Sequence, residues 1–250
     1  MRYMGSKFHI AGQISGLLRQ LRRGDQPYLE PFVGGCNIVP RIVGGVRIAS
    51  DANPYLITMY KALQRGWIPP TVATKERHAQ LKANPDSNDP ETAFYGYGCS
   101  FGGDWFCGFI GDMLTSNGKQ IYTINAYNSL IAKRPKITNV TFTCCDYRAH
   151  DPHGMLIYCD PPYVNTTGYK AADAFDHDAF WQTMREWSKD NTVCISEYIA
   201  PPDFVPVWQQ RKTTGLRGSD GKGKRTIEAV FMHESQARVF KTLGEQGDLI

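Results

Sequence analysis

The amino-acid sequence predicts an α/β fold, with a parallel or mixed sheet carrying helices on both faces. Three observations lead there. Short β-prone runs alternate with stretches of helical period over most of the chain. Five of those runs end in turn residues with an acid at or beside the end, namely Glu30, Asp51, Asp146, Asp160 and Glu197. A length of 250 residues with 42% hydrophobic and 21% charged content is enough to bury one substantial core, as one domain with an insertion or as two small ones.

The elements follow in order. Ile10, Ile14, Leu17, Leu18 and Leu21 share one helical face within residues 8 to 23, and Gly24 ends that helix. Tyr28-Leu29-Glu30 is a short strand running into Pro31-Phe32-Val33-Gly34-Gly35-Cys36-Asn37, and Val46 to Ser50 is another running into Asp51-Ala52-Asn53-Pro54. A helical period returns from Pro54 to Arg65, with Leu56, Met59, Tyr60 and Leu63 facing the core and Gly66 as the stop. Residues 67 to 135 differ in texture: Trp67-Ile68-Pro69-Pro70, a polar helix-like piece, a loop from Asn84 to Pro90, then the run "FYGYGCSFGGDWFCGF". They read as an insertion. Beyond it Val140, Phe142 and Cys144 alternate with Thr141 and Thr143, Met155 to Cys159 end at Asp160, and Asn191 to Ser196 end at Glu197. Gly215 to Arg225 reads as a loop leading into a last strand, Thr226 to Met232.

Bulk properties narrow the setting. No stretch reaches the roughly 18 to 20 apolar residues of a membrane span, and Met1 to Lys7 lack the apolar core of a secretory signal, so a cytoplasmic location is expected. Seven cysteines without framework spacing are expected to be reduced, and no C-x-x-C or H-x-x-x-H pair suggests a metal site. The net charge of +4 is mild, but its distribution is uneven: Arg211, Lys212, Arg217, Lys222, Lys224 and Arg225 oppose only Asp220 in one glycine-rich stretch. Such a cluster is either a solvated face or a phosphate-binding one.

Two stretches carry chemistry. In "EPFVGGCN" the glycines let backbone approach a ligand, and Asp51 ends the next strand 17 residues after Gly34. A dinucleotide fingerprint places its ribose-binding acid roughly 20 residues on, but this is not G-x-G-x-x-G, and a plain turn fits the same residues. In "YCDPPYV" two prolines lack N–H groups and stiffen the chain after Asp160. The Asp160 carboxylate and the Pro161 carbonyl can together accept both hydrogens of one amino group, while Tyr163 can stack on the ring that bears it. A rigid turn at a strand end is the bland alternative. Tyr95, Tyr97, Phe101, Trp105 and Phe106 either support base extrusion or pack the insertion's own core.

Seven motifs in order, "YMGSK" at 3 to 7, "EPFVGG" at 30 to 35, "SDANPYLI" at 50 to 57, "CCDY" at 144 to 147, "DPPY" at 160 to 163, "ISEYIAP" at 195 to 201 and "GKRTIEAVFM" at 223 to 232, resemble the Dam-type DNA adenine N6-methyltransferases, phage-encoded members included. The resemblance implies a Rossmann-like methyltransferase sheet and methyl transfer from S-adenosylmethionine to the exocyclic N6 of a flipped adenine in double-stranded DNA. It implies a catalytic domain of residues 1–66 and 136–250, an inserted target-recognition region of 67–135, and a monomer in a bacterial or phage-infected cell, as in restriction-modification. Tyr3 and Lys7 would close over the cofactor, Phe32 and Gly34 would line its pocket, Asp51 would hold its ribose, and Asp146 would sit by its adenine. Asp160, Pro161 and Tyr163 would be the catalytic set, with Asp160 also facing the cofactor. From the charge distribution, Lys222, Lys224 and Arg225 on the glycine-rich loop are the candidates for DNA phosphate contacts, with Arg134 and Lys136 secondary. Cys36 departs from the family, which has glycine there. Cytosine N4 methylation, a non-catalytic DNA-binding module and a dinucleotide-dependent oxidoreductase remain as rivals.

Overall fold

A computed structural model describes residues 1, 3–115, 118–163, 175–217 and 223–237. The element order is α1 (Ala11–Leu21), β1 (Tyr28–Glu30), β2 (Arg47–Asp51), α2 (Pro54–Gln64), α3 (Lys75–Ala83), α4 (Pro90–Ala93), β3 (Asp112–Thr115), β4 (Gly118–Ile121), α5 (Tyr122–Ile137), β5 (Val140–Cys144), β6 (Leu156–Cys159), α6 (His177–Trp187), β7 (Thr192–Glu197), β8 (Phe204–Arg217) and β9 (Gly223–His233). Seven strands form one sheet in the order β5-β2-β1-β6-β7-β9-β8. The first five positions follow the doubly wound nucleotide-binding order, and helices lie on both sides of the sheet. The expected α/β class is therefore what the chain adopts, with an antiparallel β8–β9 pair added at one edge.

The chain divides into two compact units, Met1–Gly12 with Phe32–Ala149, and Gln13–Pro31 with His150–Ile250. In the first, β2 pairs in parallel with β5, Arg47 opposite Val140 through Asp51 opposite Cys144. Helix α2 starts where Asn53 accepts hydrogen bonds from the Tyr55 and Leu56 N–H groups and Pro54 fills the first turn. Its face of Leu56, Met59, Tyr60 and Leu63 is fully buried. Residues 67–135 belong to this unit: α3 is capped by Thr74, α4 by Asp89, and β3–β4 form an antiparallel hairpin leading into α5.

The aromatic run forms a π-helical turn, Phe94–Gly98, and packs inward. Tyr95, Tyr97 and Phe106 are buried, Trp105 is half-buried, and Phe101 alone of the five is exposed. Gly96 is required there, since a Cβ would lie 2.4 Å from the Trp105 ring. Gly96→Ala is therefore expected to cost about 1–3 kcal/mol by overpacking, read as a lower denaturation midpoint with an unchanged slope.

In the second unit β1 pairs in parallel with β6, and β6 with β7. All three residues of β1 and all four of β6 are buried, as expected of strands covered on both faces. Helix α6, capped by Asp176, buries Phe180, Trp181, Met184 and Trp187. Strand β8 escapes the sequence reading. It contains Pro206 and a polar run, and it sits at the sheet edge with a register irregularity between Pro206 and Trp208, where a missing N–H does no harm. The stretch read as a loop from Gly215 to Arg225 is shorter than expected, because β8 runs to Arg217 and β9 begins at Gly223.

Candidate active site

The first unit gathers the residues expected to meet a cofactor around the carboxyl end of β2. Val33 donates its N–H to the Ser50 carbonyl, which ties the "EPFVGG" turn to the strand. Gly34 then donates to Oδ2 of Asp51 at 2.9 Å, while Asn53 donates to Oδ1 at 3.0 Å. The Gly34 carbonyl accepts from the Tyr60 hydroxyl at 2.7 Å, so this peptide is pinned on both sides. Gly34 has φ +41°, and a Cβ on it would lie 2.9 Å from the Tyr3 ring. Cys36, where the family has glycine, adopts φ +51° and is fully buried. The chain keeps the left-handed turn and bears the Cβ strain that glycine would avoid.

The segment "YMGSK" forms its own turn beside this one. Gly5 has φ +75°, Ser6 donates its N–H to the Tyr3 carbonyl, and the Ser6 hydroxyl accepts from Asn37 at 2.8 Å. The Tyr3 ring meets Tyr97 edge-on, 5.1 Å between centroids. Lys7 is buried and its Nζ donates to the Gly5 carbonyl. Phe32 packs on Tyr147 with centroids 5.3 Å apart, and Asp146 lies one residue beyond β5, after Cys145. Arg148 grips Asp146 through Nε at 2.7 Å and a terminal nitrogen at 3.2 Å, which holds its carboxyl below the usual carboxylate range.

Asp51 behaves in the opposite way. Burial pushes its carboxyl above the ordinary range, and the N–H groups of Asn53 and Gly34 offset this in part. Each oxygen already holds one backbone donor and has further acceptor capacity, the arrangement that binds a vicinal diol. Together with the close backbone approach at Gly34, these acceptor oxygens fit the ribose diol of a nucleoside-containing cofactor such as S-adenosylmethionine.

The second unit holds the DPPY stretch. Strand alternation and register place Tyr28, Glu30, Tyr158, Ser196, Val230 and Glu228 on one face, and the odd positions of β6 on the other. On that polar face the Tyr28 hydroxyl donates to Glu30 at 2.9 Å, and Tyr158 shares a hydrogen bond with Ser196 at 2.8 Å. Cys159 points the other way, fully buried with its Sγ 3.6 Å from the Met184 sulfur, and burial raises its thiol pKa strongly. It stays a protonated core residue and offers no nucleophile. Asp160 follows β6 directly and is half-buried, Pro161 is buried, and Tyr163 is half-buried. The Tyr163 hydroxyl donates to Glu228, and its ring stands at 82° to Tyr198, 4.6 Å away. Desolvation by burial, then the charges of Asp160 and Glu228, push the Tyr163 hydroxyl far above its ordinary pKa, so it remains a donor.

Lys222 lies outside the described residues, and Lys224 and Arg225 are backbone positions within β9 rather than in a flexible loop. Arg134 is half-buried in the last turn of α5, its guanidinium lying beside Gly66. Sequence reasoning missed Tyr60, Asn53, Tyr147, Arg148 and Glu228. Tyr60 is legible in the sequence only as a core residue of α2; Asn53, Tyr147 and Glu228 fall within the quoted motifs without an assigned role, and Arg148 lies outside them.

Residues 3–96 match the family model of the D12 class N6 adenine-specific DNA methyltransferases. The match bears out the Dam-type resemblance: the chain is an enzyme, a methyltransferase. No curated protein matches the chain significantly. Among solved structures, it is similar to a proposed RNA methyltransferase from Pyrococcus horikoshii at 9% identity and a TM-score of 0.40, covering 89% of this chain and 83% of that one. No described helix is long and apolar enough to cross a membrane.

Proposed function

We propose that the protein transfers a methyl group from S-adenosylmethionine to the exocyclic N6 of adenine in double-stranded DNA. The observation that carries this reading is the "DPPY" segment following β6 directly, with Tyr163 anchored at its hydroxyl and Asp160 at the strand's carboxyl end. The family match over residues 3–96 supports the adenine specificity.

The chain's own residues have defined tasks in this reading. Asp51 and the Gly34 turn bind the cofactor ribose, Phe32 with Tyr147 offers an aromatic wall, and Tyr3 and Lys7 cover the site. S-adenosylmethionine, when bound, supplies an electrophilic methyl on a sulfonium. Asp160 and the Pro161 carbonyl accept the two hydrogens of the adenine amine. That amine is a poor nucleophile because its lone pair is delocalised into the ring, and two acceptors favour the pyramidal geometry that frees it. Tyr163 stacks on the flipped base and so holds the amine in a near-attack position.

Residues 67–135 are proposed to read the DNA, and the β8–β9 ribbon to hold it. Ala229 is the last β9 residue paired with β7, opposite the terminal Glu197, so 223–228 run about 20 Å beyond the carboxyl edge of β7 at about 3.4 Å per residue. That ribbon carries Arg211, Lys212, Arg217, Lys224 and Arg225. Replacing Lys224 and Arg225 by Gln is expected to lower the slope of log affinity against log salt by about 1 to 2, with methylated-site preference unchanged. Titrating DNA at several salt concentrations checks this.

The test of the reading itself is transfer of labelled methyl to unmethylated DNA followed by nucleoside analysis. N6-methyladenine is expected. N4-methylcytosine, or no product, overturns it.

A further inference from the structure

The acid that anchors the DPPY tyrosine comes from a strand 65 residues further along the chain. Ser196 pairs with Val230 and Glu197 with Ala229, so Glu228 is the first β9 residue beyond the carboxyl end of β7. Alternation turns its side chain to the face that carries Ser196 and Tyr158. There Glu228 is 2% exposed and accepts the Tyr163 hydroxyl, while Tyr198 meets the same ring at 82°.

A tyrosine ring turns about two soft torsions. An edge-to-face neighbour limits rotation about the second, and a fixed hydroxyl limits the swing of the first. We propose that Glu228 is a positioning residue for methyl transfer, holding the Tyr163 ring so that its face meets the target base whose amine Asp160 and Pro161 bind. This rests on the methyltransferase reading above. In this role Glu228 is not itself a catalytic residue. Its effect passes through Tyr163, and the step it serves is sensitive to small misplacement, for which about 100-fold per ångström is a reasonable scale. A purely structural role for the same pair would lower stability and leave turnover intact.

Five proteins decide between these roles: wild type, Glu228→Ala, Tyr163→Phe, the double variant, and Glu228→Gln as the conservative replacement that keeps an acceptor oxygen. In labelled-methyl assays on unmethylated DNA, Glu228→Ala and Tyr163→Phe are each expected to lower kcat about 10- to 100-fold. The affinity for S-adenosylmethionine by calorimetry should stay within about twofold. The double variant should be no more than about twofold slower than the worse single one, because both remove the same interaction. Glu228→Gln should recover most of the lost kcat. If Glu228→Ala does not fold, Tyr163→Phe carries the test alone, since it keeps the ring and removes only the hydroxyl. A Tyr163→Phe protein with wild-type kcat overturns the positioning role, and so do single losses that multiply in the double variant. A wild type that transfers no methyl group overturns instead the reading on which the proposal rests.

Discussion

Asp160→Ala is expected to lower kcat for adenine methylation by about 10³-fold, within the range for losing a positioned group that acts on a reacting proton. Asp160 follows β6, whose four residues are all buried, and the two prolines after it restrict the backbone, so the variant should fold. In the proposed mechanism it loses one of the two acceptors for the adenine amine. The remaining Pro161 carbonyl binds one hydrogen, and the nitrogen lone pair stays delocalised into the ring. The affinity for S-adenosylmethionine should fall much less than kcat, because the residues assigned to the ribose lie in the turn after β1 and at the end of β2. Asp160→Asn keeps one acceptor oxygen and should retain more activity than the alanine variant. Single-turnover transfer of labelled methyl, with cofactor affinity measured in parallel, separates these quantities. Equal activity of Asp160→Ala and wild type would remove the amine-binding mechanism.

Much of this architecture was legible because the strands end abruptly. Asp51, Asp146 and Asp160 each stand at or just after the carboxyl end of a strand, and proline or a tight turn follows, so local grammar marks the carboxyl ends of these strands. Helices α1 and α2 were equally plain, since Ile14, Leu18, Leu56 and Leu63 recur at helical spacing and are fully buried. The hidden parts depend on partners distant in sequence. The edge strand β8 hides behind Pro206 and polar residues, because an edge needs neither a complete hydrogen-bond ladder nor an apolar face. Glu228 looks like an ordinary acid within a strand until the β7–β9 register brings it to Tyr163. The aromatic run allowed two readings, and packing resolves most of it: Tyr97 lies against Tyr3 and Trp105, and the Asn53 amide donates to the Tyr97 hydroxyl at 2.6 Å. Those aromatics back the Tyr3 turn, and of the five only Phe101 is exposed, with Trp105 half-buried.

In the proposed reading Asp51 holds the cofactor ribose, and Asp51→Asn is expected to raise the dissociation constant for S-adenosylmethionine about 10²-fold. A carboxylate that accepts from a ribose diol makes charge-assisted hydrogen bonds, of which an amide keeps only part. Its pH dependence gives a second, independent signature. Burial holds the Asp51 carboxyl above the ordinary range in the folded protein, against the pull of the Gly34 and Asn53 N–H groups. Cofactor binding needs the ionised form, so affinity should decline as pH falls through this raised value, earlier than an ordinary aspartate would allow. Stability runs the other way. A raised folded-state pKa means that the native protein binds the proton more tightly than the unfolded chain does. The contribution of Asp51 to stability is therefore fully present below its unfolded pKa and is lost as pH rises through the folded value. Asp51→Asn should flatten both trends at once. Calorimetric titration with S-adenosylmethionine and denaturant melts, each between about pH 4 and 8, measure them, and parallel rather than opposed trends in the wild type would exclude Asp51 as their source.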